Sequence, residues 1–209
     1  MVEHAGVTAP PPLAMPVAAL WVSAVLWTAL GFSSGSIPFG VVVARRLGGV
    51  DIKAQGSGNI GATNVWRVLG VVPGLIVLVL DAAKGALPVA AALRWSGAPA
   101  IALATGGAAI LGHCFSPLLG FRGGKGVATA FGVFLVIAPP VAASAVAVYA
   151  AVLAATRVPA LGSLAGIAWI AAVLIWQREH AAAGFALGTT VLLLYTHRSN
   201  LARLRRPSR

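Results

Sequence analysis

Residues 127–155 read VATAFGVFLVIAPPVAASAVAVYAAVLAA, apolar from end to end and divided only by Pro139-Pro140. Proline has no N–H to donate and its ring clashes with the preceding turn, so the pair leaves two options: one kinked helix, or two short helices meeting at a turn. The choice decides the fold, because it sets the side of a bilayer on which everything downstream lies. Working outward, further apolar runs occupy about 17–44, 70–93, 98–119, 158–176 and 181–196. A helix crosses a membrane with about 20 apolar residues, so these runs read as spans. The first is interrupted by Gly35-Ser36-Ile37-Pro38, and the last two are separated by Gln177-Arg178-Glu179-His180.

Hydrophobic residues make up 59% of the 209 and charged residues 9%, with a mean hydropathy of +0.92. Such a composition excludes an ordinary water-soluble globule and indicates a polytopic helical membrane protein. Fifteen Lys and Arg against four acids give a net charge of +11, which suits anionic headgroups or anionic substrates and also reports topology. With seven spans and a turn at Pro139-Pro140, Arg45, Arg46, Lys53, Arg67, Arg122, Lys125, Arg157, Arg198, Arg203, Arg205, Arg206 and Arg209 all face one side. Arg94 and Arg178 face the other, and Lys84 lies within a span. With six spans the segments holding Arg67 and Lys125 fall opposite the basic C-terminal tail and the asymmetry largely vanishes. Short cytoplasmic loops concentrate Lys and Arg, so the expectation is an all-α bundle of seven transmembrane helices with the N-terminus outside and the C-terminus cytoplasmic.

The expected organisation is a disordered lead-in over 1–16, where Pro10-Pro11-Pro12 and Pro16 oppose a helix, a membrane domain over 17–198 and a basic tail over 199–209. No soluble basic domain is available to hold nucleic acid. The single Cys114 excludes an intrachain disulfide and a cysteine metal cluster.

Two glycine-rich stretches interrupt the hydrocarbon. Gly56-Ser57-Gly58-Asn59-Ile60-Gly61, with Arg67 behind it, matches the dinucleotide spacing G-x-G-x-x-G, and Asp81 even stands about twenty residues further on as that pattern asks. The context refutes a dinucleotide site, since no βαβ unit surrounds the match and Asp81 follows the apolar run Leu75–Leu80. What remains is either a flexible turn or an anion cradle. In the cradle, small residues expose N–H groups, Ser57, Asn59, Thr63 and Asn64 offer side-chain hydrogen bonds, and Arg67 grips a phosphate with two prongs. The second stretch, Gly120-Phe121-Arg122-Gly123-Gly124-Lys125-Gly126, fails as a Walker A loop because Gly126 stands where Ser or Thr should hold magnesium. It reads as a basic turn or as an anion site, and three glycines around Lys125 exceed what a turn requires.

His113 and His197 are the ring nitrogens near this face, each an interfacial anchor or a candidate for proton transfer. Asp81 and Lys84, at i and i+3, are expected to pair within their span. No carboxylate pair, metal-ligand cluster or Ser-His-Asp set can be assembled, so neither metal nor cofactor is expected.

Taken together, Gly35-Ser36-Ile37-Pro38-Phe39-Gly40, Asp51-Ile52-Lys53, residues 56–67, Asp81-Ala82-Ala83-Lys84-Gly85, Gly112-His113, residues 120–129 and His197-Arg198-Ser199-Asn200-Leu201 resemble, in order, the blocks of the bacterial acyl-phosphate-dependent glycerol-3-phosphate acyltransferases, the PlsY family. The resemblance implies an inner-membrane enzyme with seven transmembrane helices and a cytoplasmic site. It would transfer a fatty acyl group from acyl phosphate to the 1-hydroxyl of sn-glycerol 3-phosphate, giving lysophosphatidate and phosphate, with those substrates and membrane lipid as its partners. By the same resemblance, Ser57, Arg67, Lys125, His197 and Asn200 are the expected catalytic residues. Gly56, Gly58, Asn59, Thr63, Asn64, His113, Gly123, Gly124 and Gly126 are the expected substrate-binding ones.

Two positions depart from the family pattern. Ala160 stands where a site serine is frequent, with Ser163 as a partial substitute, and Ser199 replaces an acidic residue. The rival reading is a transporter of an organic phosphate or other anion, which would place cations near the midplane and often repeats internally.

Overall fold

The computed structural model describes residues 16–204, and every regular element among them is helical. Residues 1–15 of the expected lead-in, and Arg205, Arg206 and Arg209 of the expected tail, lie outside the described residues. The helices are α1 Val17–Ser36, α2 Phe39–Gly48, α3 Ala62–Leu69, α4 Val71–Ser96, α5 Pro99–Cys114, α6 Val127–Ile137, α7 Pro139–Thr156, α8 Pro159–Trp176, α9 His180–Thr196 and α10 Arg198–Leu204. Five segments are long and apolar enough to cross a membrane: Val17–Gly48, Val71–Ser96, Pro99–Leu119, Pro139–Thr156 and Pro159–Trp176. Two shorter apolar helices, Val127–Ile137 and His180–Thr196, accompany them.

The prolines act where their chemistry predicts. Ile37, before Pro38, is extended at ψ 119°, which ends α1. At the deciding stretch, Ala138 leaves helical geometry at φ −145°, and Pro139 and Pro140 fill the first turn of α7, where a missing N–H costs nothing. The stretch is therefore two helices. The run 98–119, in contrast, is α-helical only as far as Cys114; a 3₁₀ turn follows at Pro117–Leu119.

Lipid tails are as apolar as leucine, so burial alone does not pull these helices together and close backbone approach matters more. Gly31 and Gly35 lay α1 directly on the Thr105 and Ala109 carbonyls of α5, where a methyl group would collide. Gly85 and Gly132 do the same between α4 and α6, against Thr129 and Ala82. Around these seams lie three apolar clusters. One centres on Phe134, Ile170, Leu174 and Leu193 among α6–α9, one on Val89, Ile110 and Val133 among α4–α6, and one on Val41, Ile52, Ile60, Val65 and Val77 under the first glycine stretch. Large apolar side chains left outside, such as Trp176 at 81% and Leu87 at 68% exposure, suit contact with lipid.

Candidate active site

The first glycine stretch is not the open loop its composition suggests. Asp51 accepts the Lys53 N–H at 3.0 Å and starts a 3₁₀ turn over Ile52–Ala54, and the eight-residue α3 begins at Ala62. Between them the backbone closes around the amide of Asn64, which is 2% exposed. Its Oδ1 accepts the Ser57 N–H at 2.8 Å, and its Nδ2 faces the carbonyls of Asn59, Gln55 and Ile52 at 2.8, 3.0 and 3.3 Å. Gly56 sits at φ +58°, and a Cβ there would strike Asn64 Oδ1. Asn59 accepts the Gly61 N–H at 2.8 Å, closing the last turn before α3. Asn64 thus faces the loop backbone, while Ser57, Thr63 and Arg67 remain exposed on the outer side and Asn59 is half-buried. No side chain caps the N-terminus of α3.

The second stretch is strapped to α5. Gly123 N–H donates to the Cys114 carbonyl and Gly124 N–H to the His113 carbonyl, each at 3.0 Å. Gly124 packs against the Nε2 edge of the His113 ring, where a Cβ would collide with Nε2. Gly126, at φ +85°, turns the chain into α6, whose first turn also lacks a side-chain cap. Lys125 is thereby presented beside a free helix N-terminus, a combination suited to an anion. Leu119, in the 3₁₀ turn just before this stretch, packs on the cluster beneath the first loop.

A third element completes the site. The Thr196 hydroxyl, at the end of α9, lies 3.0 Å from the Lys125 carbonyl. His197 follows at 1% exposure, with Nδ1 2.8 Å from the Leu193 carbonyl. A carbonyl only accepts, so Nδ1 carries the proton and Nε2 keeps its lone pair. Burial lowers the basicity of this imidazole, the Leu193 bond opposes that, and the Lys125 charge adds to the lowering. Asn200, half-buried, donates its backbone N–H to the His197 carbonyl at 2.8 Å as α10 starts. Burial, then the charges of Arg203 and Arg67, brings the Lys125 ammonium down to about 8. The charges of Arg67 and Arg203 thus reach Lys125 from two other segments of the chain.

The structure brings Arg67, Lys125 and His197 into electrostatic reach and sets His113 beneath the second loop. Asp81 and Lys84 pair at 2.8 Å as expected. Thr196 and Arg203 were missed by sequence reasoning as site residues. Arg203 repeats the basic character of the tail, and Thr196 sits in an apolar helix end. Of the two departures, Ala160 is buried and Ser163 donates to the Pro159 carbonyl at 3.0 Å, a bond internal to α8. At the other, Ser199 is exposed and its neighbour Arg198 turns to the Tyr195 ring, 4.0 Å from its centre.

The model of the glycerol-3-phosphate acyltransferase family matches residues 25–207. A glycerol-3-phosphate acyltransferase of Myxococcus xanthus is 51% identical over 179 residues, covering 85% of this chain and 93% of that one. One from Anaeromyxobacter dehalogenans is 46% identical, covering 84% and 90%. Two crystal structures of PlsY (YgiH), an integral membrane glycerol 3-phosphate acyltransferase, superpose with TM-scores of 0.82 and 0.81 at 36% identity, each covering 87% of this chain. The first is the glycerol 3-phosphate form and covers 92% of that chain; the second is the lysophosphatidic acid form and covers 91%.

Proposed function

The chain belongs to the glycerol-3-phosphate acyltransferase family and is an acyltransferase of the membrane, and we propose that it moves a fatty acyl group from acyl phosphate to the 1-hydroxyl of sn-glycerol 3-phosphate. The observation that carries the donor assignment is the second glycine-rich backbone, strapped to α5 with Lys125 at the uncapped start of α6, where the charges of Arg203 and Arg67 also reach Lys125. Lys125 is half-buried while Arg67 and Arg203 stand exposed near it; like charges repel, and bound phosphates would offset that repulsion. One phosphate belongs to the donor and one to the acceptor. Family membership as an acyltransferase sets the transporter reading aside.

In the proposed reaction the C1 hydroxyl oxygen attacks the acyl carbonyl carbon. A new ester C–O bond forms, the bond from that carbon to the phosphate oxygen breaks, and inorganic phosphate leaves. The donor is a mixed anhydride with a good leaving group, so the protein's task is positioning and charge stabilisation rather than strong base catalysis. Lys125, with its own N–H, that of Gly126 and those of the first turn of α6, stabilises the departing phosphate; the amides of Gly123 and Gly124 are already bonded to α5. Arg67, Ser57 and the first loop hold the acceptor phosphate. The hydroxyl proton passes to the phosphate of the donor. The Nε2 lone pair of His197 orients the hydroxyl, and Asn200 supports it.

We also infer that α6 and α9 cross with the five longer segments, giving seven spans in the bacterial inner membrane. Eleven residues in α6 rise only roughly 16 Å, so its ends rely on α4 and α7 for cover. Arg45, Arg46, Lys53, Arg67, Arg122, Lys125, Arg157, Arg198 and Arg203 then face the cytoplasm with the site, and the N-terminus lies outside. The test is direct. Purified protein incubated with palmitoyl phosphate and radiolabelled glycerol 3-phosphate should yield labelled lysophosphatidate, and no product with this donor would refute the assignment.

A further inference from the structure

The proposed chemistry uses the tip of the second loop and leaves the charges buried behind it without a role. Asp81 and Lys84, in α4, are 1% and 4% exposed and pair at 2.8 Å. Lys84 Nζ also donates, at 2.8 Å, to the Ile37 carbonyl at the break between α1 and α2. The same Asp81 oxygen faces Nδ1 of His113 at 3.8 Å, within reach of charge but beyond a hydrogen bond. That nitrogen has no hydrogen-bond partner among the described residues. The opposite edge of the ring supports Gly124, and the Gly123 and Gly124 amides are tied to the last carbonyls of α5. Lys125 is the next residue.

Burying an ion pair is costly, and an apolar pair of similar volume often holds elements together as well or better. Charges inside a span mark something other than adhesion. We propose that the Asp81–Lys84 pair is a positioning device for the Lys125 loop. Lys84, anchored on the Ile37 carbonyl, fixes the Asp81 carboxylate. The carboxylate faces the Nδ1 edge of the His113 ring across 3.8 Å and attracts it as charge to dipole, and the opposite edge of the ring is the floor on which Gly124 rests. The tilt of that floor sets where Lys125 meets an anion. The inference rests on the reading that this loop holds the donor phosphate.

The test uses the full chain in phospholipid vesicles with two variants. Asp81→Asn/Lys84→Met removes both charges without stranding either one, and His113→Gln keeps an amide near Nε2 but nothing at Nδ1. Two quantities are read: KM for each substrate, and hydrogen exchange at the Gly123 and Gly124 amides. The expected result is a rise of about tenfold or more in KM for palmitoyl phosphate, with KM for glycerol 3-phosphate within about twofold of wild type. Both amides should exchange faster. His113→Gln should reproduce both changes, and combining it with the pair should add little, because the groups act through one another.

A folded double variant with wild-type donor KM and wild-type exchange overturns the proposal. Equal rises in both KM values also overturn it, since they would mark a general loss of packing. Where the double variant does not fold, His113→Gln alone decides by the same two readouts. Wild-type turnover of palmitoyl phosphate is the control. Its absence would refute the acyl-phosphate reading, and the exchange measurement would still decide the positioning role.

Discussion

Thr196 ties its hydroxyl to the carbonyl of Lys125 across 71 residues of chain, joining the last turn of α9 to the second glycine loop. The same hydroxyl lies 3.1 Å from the Leu193 carbonyl, so it is shared between its own helix and the loop. Valine matches threonine in shape and cannot donate. Thr196→Val should cost about 1 kcal/mol of stability, and it should raise KM for acyl phosphate severalfold. Thr196→Ser should restore both. Thermal unfolding and steady-state kinetics on the three proteins check this, and an unchanged donor KM in the valine variant would separate Thr196 from the site.

Asn64 predicts a second outcome. Its Nδ2 donors face three carbonyls, so Asn64→Asp would point an anionic oxygen at acceptors and strand carbonyls that each cost about 1–3 kcal/mol when left unpaired. The expected result is loss of activity by roughly two orders of magnitude through collapse of the first loop, with α4 and α5 intact. Limited proteolysis between residues 51 and 61 should accelerate. A stable loop with lost activity would instead mean that Asn64 touches substrate.

If Lys125 holds the donor phosphate, the reaction is expected to be sensitive to alkali. An ammonium lowered to about 8 loses its charge within an accessible range, and bound phosphate favours the charged form and so raises that value again. The profile of kcat/KM for acyl phosphate, which reports the free enzyme, should therefore fall with a midpoint near pH 8, while the limb in kcat lies higher. Lys125→Arg should abolish the limb near 8, since guanidinium stays charged. A limb of unchanged position in that variant would assign it to another group.

His197 bears on the proton. With Nδ1 committed to Leu193, only Nε2 can accept. If the donor phosphate takes the hydroxyl proton, His197→Gln should lower kcat through poorer orientation yet keep an acidic limb near the second ionisation of a phosphate, about pH 6. Profiles of kcat at saturating substrates decide the matter. Loss of that limb in the variant would make His197 the base.

Much of this architecture is legible before any coordinates, for identifiable reasons. Proline acts locally, so the breaks at Ile37-Pro38 and Pro139-Pro140 can be read from a few residues. Charges avoid hydrocarbon, so the i, i+3 pairing of Asp81 and Lys84 can be read as well. The helix α3 is hidden because a short amphipathic helix follows six residues that contain three glycines, and composition there speaks for turns. Thr196 and Arg203 are hidden for another reason. Their partners lie far away in sequence, and no periodicity links Lys125 to residues beyond the end of α9. Asn64 sits between these cases, since its residue type announces a polar role but only the folded loop shows that its amide is turned inward.

The seam between α1 and α5 has a consequence for biogenesis. Of α1 only Gly31, Gly35 and Ser36 are buried, and the surface receiving the two glycines, Thr105 and Ala109, is translated some seventy residues later. The first helix must therefore wait in the bilayer without its mate, which its freedom from charge permits. When α5 arrives, the Ser116 hydroxyl bonds the Ser36 carbonyl at 2.6 Å, and the seam between the two helices closes. An arrested nascent chain ending before residue 99 should leave a cysteine placed at Ser36 open to thiol reagents, and a chain extended far enough to bring α5 clear of the ribosome should shield it. On this account the enzyme is assembled by the return of its fifth helix to its first, and a ribosome stalled between them would leave a membrane-inserted chain with no active site.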